Sequence, residues 1–224
     1  MDRAWAAGWR HFGSYFFRYS RNGTNQVLPL RVRLEDFECS ASQKRVRKRN
    51  ANLECVVRDA LIDSEKHELF GLHSVRFSEN VPGSILSFLD PEPARICQTK
   101  EICLYKNGRL IGAHFLDLGE ASTSSVYSIY DPNESKHSLG IDLILRAISL
   151  SLELGKRLYY PGYAYLEPSA YDYKKKLSAL EVFDWDGNWQ RFKAPDNLGF
   201  GLSTEGQRKK KPFGNGSSTS TTNV

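Results

Sequence analysis

The chain has 224 residues, with 31 Lys plus Arg against 26 Asp plus Glu and a formal net charge of +5. That length suits one domain plus a tail, and 40% hydrophobic residues is ordinary for a folded core. No apolar run is long enough for a bilayer span or a signal-peptide core, and the four cysteines have no paired spacing, so a cytoplasmic protein with reduced thiols, no membrane association and no cysteine-built metal site is expected.

In chain order, residues 1–12 read as a helix, with Trp5, Gly8, Trp9 and Phe12 near helical spacing and Gly13 as a stop. Ser14 to Tyr19 reads as a strand and Asn22 to Asn25 as a turn. Val27 to Leu34 alternates apolar residues with Arg31 and Arg33, as a half-exposed strand does, and Pro29 places it near an edge or a strand start. Ser40 or Ser42 caps a helix running through Asn50, and Leu53 to Arg58 returns as a strand. Asp63 to Leu72 reads as helical, and Val81 to Pro93 as a connection broken by Pro and Gly. Glu101 to Tyr105 and Leu110 to Leu118 form a hairpin around Asn107-Gly108.

Ser125 to Tyr130 is the next strand and ends in Asp131-Pro132. Ser138 caps an amphipathic helix, with Leu139, Leu143, Ala147, Leu150 and Leu154 on one face, and Gly155 ends it. Tyr159 to Leu166 is the last central strand. Alternation would put Tyr159, Pro161 and Tyr163 on one face and Tyr160, Gly162 and Ala164 on the other. Tyr171 to Leu177 is a basic helix or turn, and Phe183 to Phe192 a small hairpin or loop closing the sheet. Residues 1–202 are expected to form the domain. Residues 203–224, rich in Gly, Ser, Thr and Lys, are expected to be a disordered tail.

Two ordered blocks carry a resemblance. The first is Leu28-Pro29-Leu30-Arg31-Val32 followed by Ser40 to Asn50. The second is Tyr127 to Pro132, Ser138-Leu139-Gly140, Tyr160-Pro161-Gly162-Tyr163 and Tyr173-Lys174. Together they resemble the C-terminal domain of the aminoacyl-tRNA–protein transferases, which include arginyl transferases and bacterial leucyl transferases acting on N-terminal Asp or Glu. The resemblance implies an α/β (α+β) fold: a mixed, mostly antiparallel sheet flanked by helices, of the GNAT acyltransferase type. The residues alone carry only its strand–helix–strand unit. It implies transfer of arginine or leucine from aminoacyl-tRNA to the α-amine of an acceptor protein, marking that protein for degradation through the N-degron pathway. It also implies a monomer needing no cofactor. Two other readings stay open: a GNAT-like N-acyltransferase with a different donor, and a non-catalytic homologue that binds RNA or protein.

Each candidate residue has a structural reading beside its functional one. Lys44, Arg45, Arg47, Lys48 and Arg49 crowd one helix, and so dense a cluster suits tRNA phosphates or simply a solvated face. Asp131 is the candidate proton acceptor for the attacking amine, or else a turn-forming residue before Pro132. Tyr127 and Tyr163 are the other candidate catalytic groups, with aromatic packing as the alternative. Arg31, Ser138, Gly140, Gly162, Tyr173 and Lys174 are the candidate substrate-binding residues; the helix start at Ser138-Leu139-Gly140 offers backbone amides to an anion. His114 lies in an alternating strand and is read as structural.

The chain departs from the family pattern at two points. Val27 stands where the family has the cysteine of its C-x-P-x-R motif, so the metal-binding element is expected to be absent and no metal to be required. The segment before Tyr173-Lys174 reads Pro168-Ser169-Ala170-Tyr171-Asp172 in place of S-P-K-M.

Overall fold

Asn107 and Gly108 both have positive φ, 52° and 74°, as a two-residue turn between strands requires. They join β6 (Gln98–Lys106) to β7 (Arg109–Leu118) in the longest antiparallel pair of the sheet. Around this hairpin, in a computed structural model that describes residues 1–77, 83–90 and 96–193, a nine-stranded sheet is built. Its other strands are β3 (Arg21–Asn22), β4 (Asn25–Arg33), β5 (Glu54–Asp59), β8 (Ser122–Tyr130), β9 (Leu158–Tyr165), β10 (Leu180–Phe183) and β11 (Trp189–Arg191). The strand order is β11-β10-β4-β9-β8-β7-β6-β5, with β3 paired to β4 off this path. Every pairing is antiparallel except β8 with β9. A parallel pair needs a crossover, and α4 (Leu139–Glu153) supplies it. A separate hairpin, β1 (Arg10–Phe12) with β2 (Tyr15–Phe17), follows a short helix, α1 (Asp2–Ala6).

Strand alternation makes two cores from one sheet. Ile102 and Leu116 pack with Ile144, Ala147 and Ile148 of α4, while their neighbours Cys103 and Phe115 pack with Leu69 and Phe70 of α3 (Ser64–Ser74). The expected fold class, a mostly antiparallel sheet flanked by helices with a GNAT-like parallel pair, is the one observed. α2 (Ala41–Arg49) starts at Ser40, whose hydroxyl accepts from the Gln43 amide while the Gln43 side chain accepts from the Ser40 amide.

Three local expectations are corrected. Residues 1–12 are not one helix: Gly8 takes φ 81°, the chain turns, and Arg10–Phe12 is a strand. β4 is not an edge strand, since it lies between β9 and β10 and most of it is buried. Pro29 is tolerated there because β10 pairs only with Leu30 to Val32, so on that side no ladder bond to the missing N–H is lost. Ser138 precedes α4 but makes no side-chain cap; it sits in the left-handed region, φ 49°. The expected tail at 203–224, and part of the expected connection at 81–93, lie outside the described residues.

Candidate active site

β8 and β9 pair only from Ser122–Leu158 to Ser124–Tyr160. Beyond that point β8 follows β7 to Tyr130 and β9 follows β4 to Tyr165, so the two parallel strands part. The cause is local. In β9 the register shifts opposite Leu30 and Val32, where Pro161 has no amide hydrogen and Gly162 takes φ 95°. In β8 a second shift falls between Tyr127 and Ser125. The bulge also breaks the simple face alternation expected for Tyr159 to Ala164.

Polar side chains occupy the gap. Arg10 donates from Nη1 to Ser124 Oγ at 2.5 Å and from Nη2 to the Ser125 carbonyl. Ser125 Oγ lies 2.6 Å from the Tyr159 hydroxyl and 3.0 Å from His114 Nε2. His114 is fully buried and its other nitrogen meets Ser128 Oγ at 2.7 Å; burial, then the charge of Lys174, pushes it down to about 3, so it is neutral and structural. Lys174 Nζ donates to the Tyr163 carbonyl at 3.0 Å. Desolvation, reinforced by the charge of Arg10, pushes Lys174 down to about 7.

A Cβ on Gly162 would stand 3.4 Å from Lys174 Nζ and 3.6 Å from Arg10 Nη2, so the two cations lie against bare backbone. Gly162→Ala places a side chain at φ 95° and is expected to cost about 1–3 kcal/mol of stability, read from denaturant unfolding; an unchanged midpoint would contradict the strained geometry.

Next to the gap lies a cleft of about 310 Å³, within the range of small-molecule sites. Its walls include Arg76, Tyr130, Ser138, Gly140 and Tyr173. Arg76 stacks over the Tyr130 ring at 4.5 Å, and Tyr130 is held from behind by the His73 ring at 4.7 Å. The start of α4 faces the cleft, and a Cβ at Gly140 would stand 3.2 Å from the Tyr130 ring. Amides at a helix start together with an arginine form a receptor for an anion, and flat aromatic rings receive a base or a ribose. Tyr173 joins the two regions: its ring lines the cleft and packs on the core cluster that includes Tyr159, and the next residue is Lys174.

The expected residues divide between this site and its supports. Ser138, Gly140 and Tyr173 line the cleft, and Gly162 and Lys174 meet in the gap. Asp131 does neither: its carboxylate is 2% exposed, caps the following turn through the Asn133 amide at 2.8 Å and pairs with Arg109 at 2.6 Å. Although burial opposes it, the Arg109 and Asn133 bonds hold its pKa below the usual carboxylate range, which suits a turn residue and not a base. Tyr127 stacks on Phe88 at 3.8 Å in the second core, and the Tyr163 hydroxyl donates to the Gly8 carbonyl at 2.6 Å. Arg31 pairs with Glu181 and lies 4.4 Å over the Trp189 ring, on the β10–β11 side.

Of the basic helix, Lys44, Arg45, Lys48 and Arg49 are exposed. Arg47 instead reaches buried Asp142 of α4 at 3.5 Å, and Arg49 also donates to the Lys136 carbonyl. Two residues escaped the sequence reading, Arg10 and Arg76. Arg10 belongs to a segment read as helix, and Arg76 follows α3 with no pattern to single it out.

The parted parallel strands with an open helix start beside them make a gap and a cleft at the centre of a mixed α/β domain. The family described as arginine-tRNA-protein transferase, C terminus, matches residues 50–184, and the chain belongs to it. An aspartate/glutamate leucyltransferase of Acinetobacter baumannii is 30% identical over 190 residues, covering 82% of this chain and 69% of the relative. One of Helicobacter hepaticus is 28% identical over 181 residues, covering 78% and 75%. Among solved structures, that of L-PGS from Bacillus licheniformis matches with a TM-score of 0.49 and 14% identity, over 65% of this chain and 47% of that one.

Proposed function

We propose that this chain transfers an aminoacyl group from the 3′ end of a charged tRNA to the α-amine at a protein N-terminus. One observation carries the reading. At the end of α2, Arg49 and Asn50 donate to the carbonyls of Lys136 and His137, and Asn50 Oδ1 also meets His137 Nδ1 at 2.7 Å. Those carbonyls belong to the short loop that leads into α4 and lines the cleft. A helix of exposed cations is thereby fixed beside a cleft fit for a nucleotide, the arrangement needed to hold a nucleic-acid end while its terminal unit enters a pocket.

The reaction is aminolysis of an ester. The acceptor nitrogen bonds to the aminoacyl carbonyl carbon, the bond to the ribose oxygen breaks, and that oxygen leaves with a proton. The ester is already activated, so positioning and proton transfer supply the rate. The terminal adenosine stacks against Tyr130 and Tyr173, with its phosphate at the start of α4 near Arg76. Lys174, neutral in about half of molecules near pH 7, takes the proton from the attacking amine and passes it towards the leaving oxygen. Asp131, Tyr127 and Tyr163 hold the walls through the bonds described above.

The names of the bacterial relatives favour leucine as the donated residue and Asp or Glu as the acceptor terminus. Marking acceptors for degradation, action in the cytoplasm and a monomeric state belong to the same reading; no helix among the described residues is long and apolar enough to cross a membrane.

The test is transfer of labelled leucine or arginine from charged tRNA to peptides beginning with Asp, Glu, Arg or Ala. Leucine on the acidic peptides is expected. Tight tRNA binding with no transfer to any peptide would refute the reading and favour a non-catalytic homologue. In the same assay Asp131→Asn is expected to keep near-normal turnover, because Asn preserves the turn bond and the Arg109 side chain it releases is half exposed to solvent. A hundredfold fall would restore Asp131 as the base.

A further inference from the structure

β1 is extended, so Arg10 and its neighbour His11 point to opposite faces. His11 meets Asp117 of β7 and Cys97, which immediately precedes β6, and one ligand-capable atom from each lies within 4.8 Å of the others. His11 and Asp117 are 8% and 1% exposed. His11 Nδ1 is 2.8 Å from the Gly13 carbonyl, a contact that requires the proton on that nitrogen. On a neutral ring the other nitrogen, Nε2, then offers only a lone pair. It faces Asp117 Oδ2 at 2.7 Å, an ion-pair distance that a second proton on the ring would satisfy, and neither atom has another hydrogen-bond partner. Two lone pairs held that close call for a positive charge between or beside them.

The surroundings also suit a metal ion in place of that proton. The ring nitrogen turned away from the site donates to a backbone carbonyl, and the second Asp117 oxygen accepts from the Thr99 hydroxyl at 2.6 Å. Outer bonds of this kind orient ligating histidines and carboxylates. A small cavity of about 10 Å³, bordered by His11, Asp90, Thr99 and Asp117, has room for one water-sized body. One thiolate, one imidazole and one carboxylate form a donor set for zinc, whereas Mg²⁺ and Ca²⁺ avoid sulfur.

We propose that His11, Cys97 and Asp117 bind one zinc-class divalent ion, with a fourth position open to water. The ion pins the β1–β2 hairpin to β6 and β7 and so fixes the strand that carries Arg10 into the gap between β8 and β9. The expectation that no metal is required rested on Val27 in the family's cysteine position and on thiol spacing along the chain. It could not see a site that takes one ligand from each of three distant segments.

The test uses full-length protein stripped by a chelator and titrated with Co²⁺. A thiolate-to-cobalt charge-transfer band with tetrahedral visible bands should saturate at one equivalent and be abolished by Zn²⁺. Cys97→Ser should remove the charge-transfer band, while Cys55→Ser, at an exposed thiol, should leave it. Asp117→Asn should weaken Co²⁺ by at least the roughly 10–100-fold that loss of an outer-shell partner costs. Absence of the band, or its survival in Cys97→Ser, would overturn the proposal. If these variants fold poorly, X-ray absorption on the zinc-loaded wild type decides. One sulfur at about 2.3 Å with nitrogen and oxygen at about 2.0–2.2 Å supports the site, and a shell without sulfur refutes it.

Discussion

Lys174→Met is expected to lower turnover by roughly 10²–10⁴-fold with charged tRNA and acceptor peptide both saturating, the range typical of a lost general base. The size follows from what the side chain must do. An α-amine that attacks a carbonyl has to shed a proton, and an ordinary lysine is protonated at neutral pH and cannot take it. Lys174 differs because burial, and then the neighbouring Arg10, push it down to about 7. Wild-type turnover should therefore rise with pH through about 7 and level off above it, and Lys174→Met should flatten that limb.

Lys174→Arg separates this role from a purely structural one. Arginine still donates to the Tyr163 carbonyl, as Lys174 does at 3.0 Å, but it never gives up its proton. Activity in the Arg variant close to wild type would show that the bond alone matters and would sink the proton-transfer role.

Linkage gives an independent check. The folded-state pKa, about 7, lies below the ordinary lysine value of 10.5, so between those limits the unfolded chain binds more protons than the folded one. This group's contribution to stability should thus rise as pH climbs from about 7 to 10.5. The rise should be missing from the methionine variant's unfolding curves.

The parts of this site that were legible in the sequence are those set by short-range rules. Ser40 or Ser42 announces the start of α2, Asn107-Gly108 fixes the β6–β7 turn, and the leucine spacing after Ser138 gives α4. The motif blocks carried Ser138, Gly140, Gly162, Tyr173 and Lys174 to the cleft and the gap. What stayed hidden depends on pairing between distant segments. The bulge at Pro161-Gly162 appears only against β4, and it redirects every side chain after it. The environment of Lys174 depends on Arg10, whose own segment has helical spacing until Gly8 breaks it. Asp131 was ambiguous because Asp-Pro reads equally as a turn and as an acid at a strand end. The pair with Arg109, on the neighbouring strand, and the bond from the Asn133 amide favour the turn.

Replacing Lys44, Arg45, Lys48 and Arg49 together with Ala is expected to cut tRNA affinity steeply at low salt and to flatten its salt dependence. Each cation that meets a phosphate releases condensed counterions, contributing about 0.7–0.9 to the slope of log K against log salt. Four contacts therefore predict a slope shallower by roughly 3. Arg47 is left out on purpose. It reaches Asp142, which is fully buried and also held by Arg146 at 2.9 Å, so removing it would strip a partner from a buried carboxylate and confuse binding with stability. The four chosen side chains are exposed, and although the Arg49 bond to the Lys136 carbonyl is lost, the Ser40–Gln43 cap, buried Val46 and the Asn50 bond to the His137 carbonyl that hold α2 in place remain. The variant should thus unfold at nearly the wild-type midpoint. A solvated face with no ligand predicts a different outcome: the same fold, the same affinity and an unchanged salt slope. Because Asn50 still anchors this helix to the loop beside the cleft, transfer from charged tRNA should fall with affinity, mainly through KM for the tRNA. A loss confined to kcat would mean that the helix positions the reacting end without contributing to its capture.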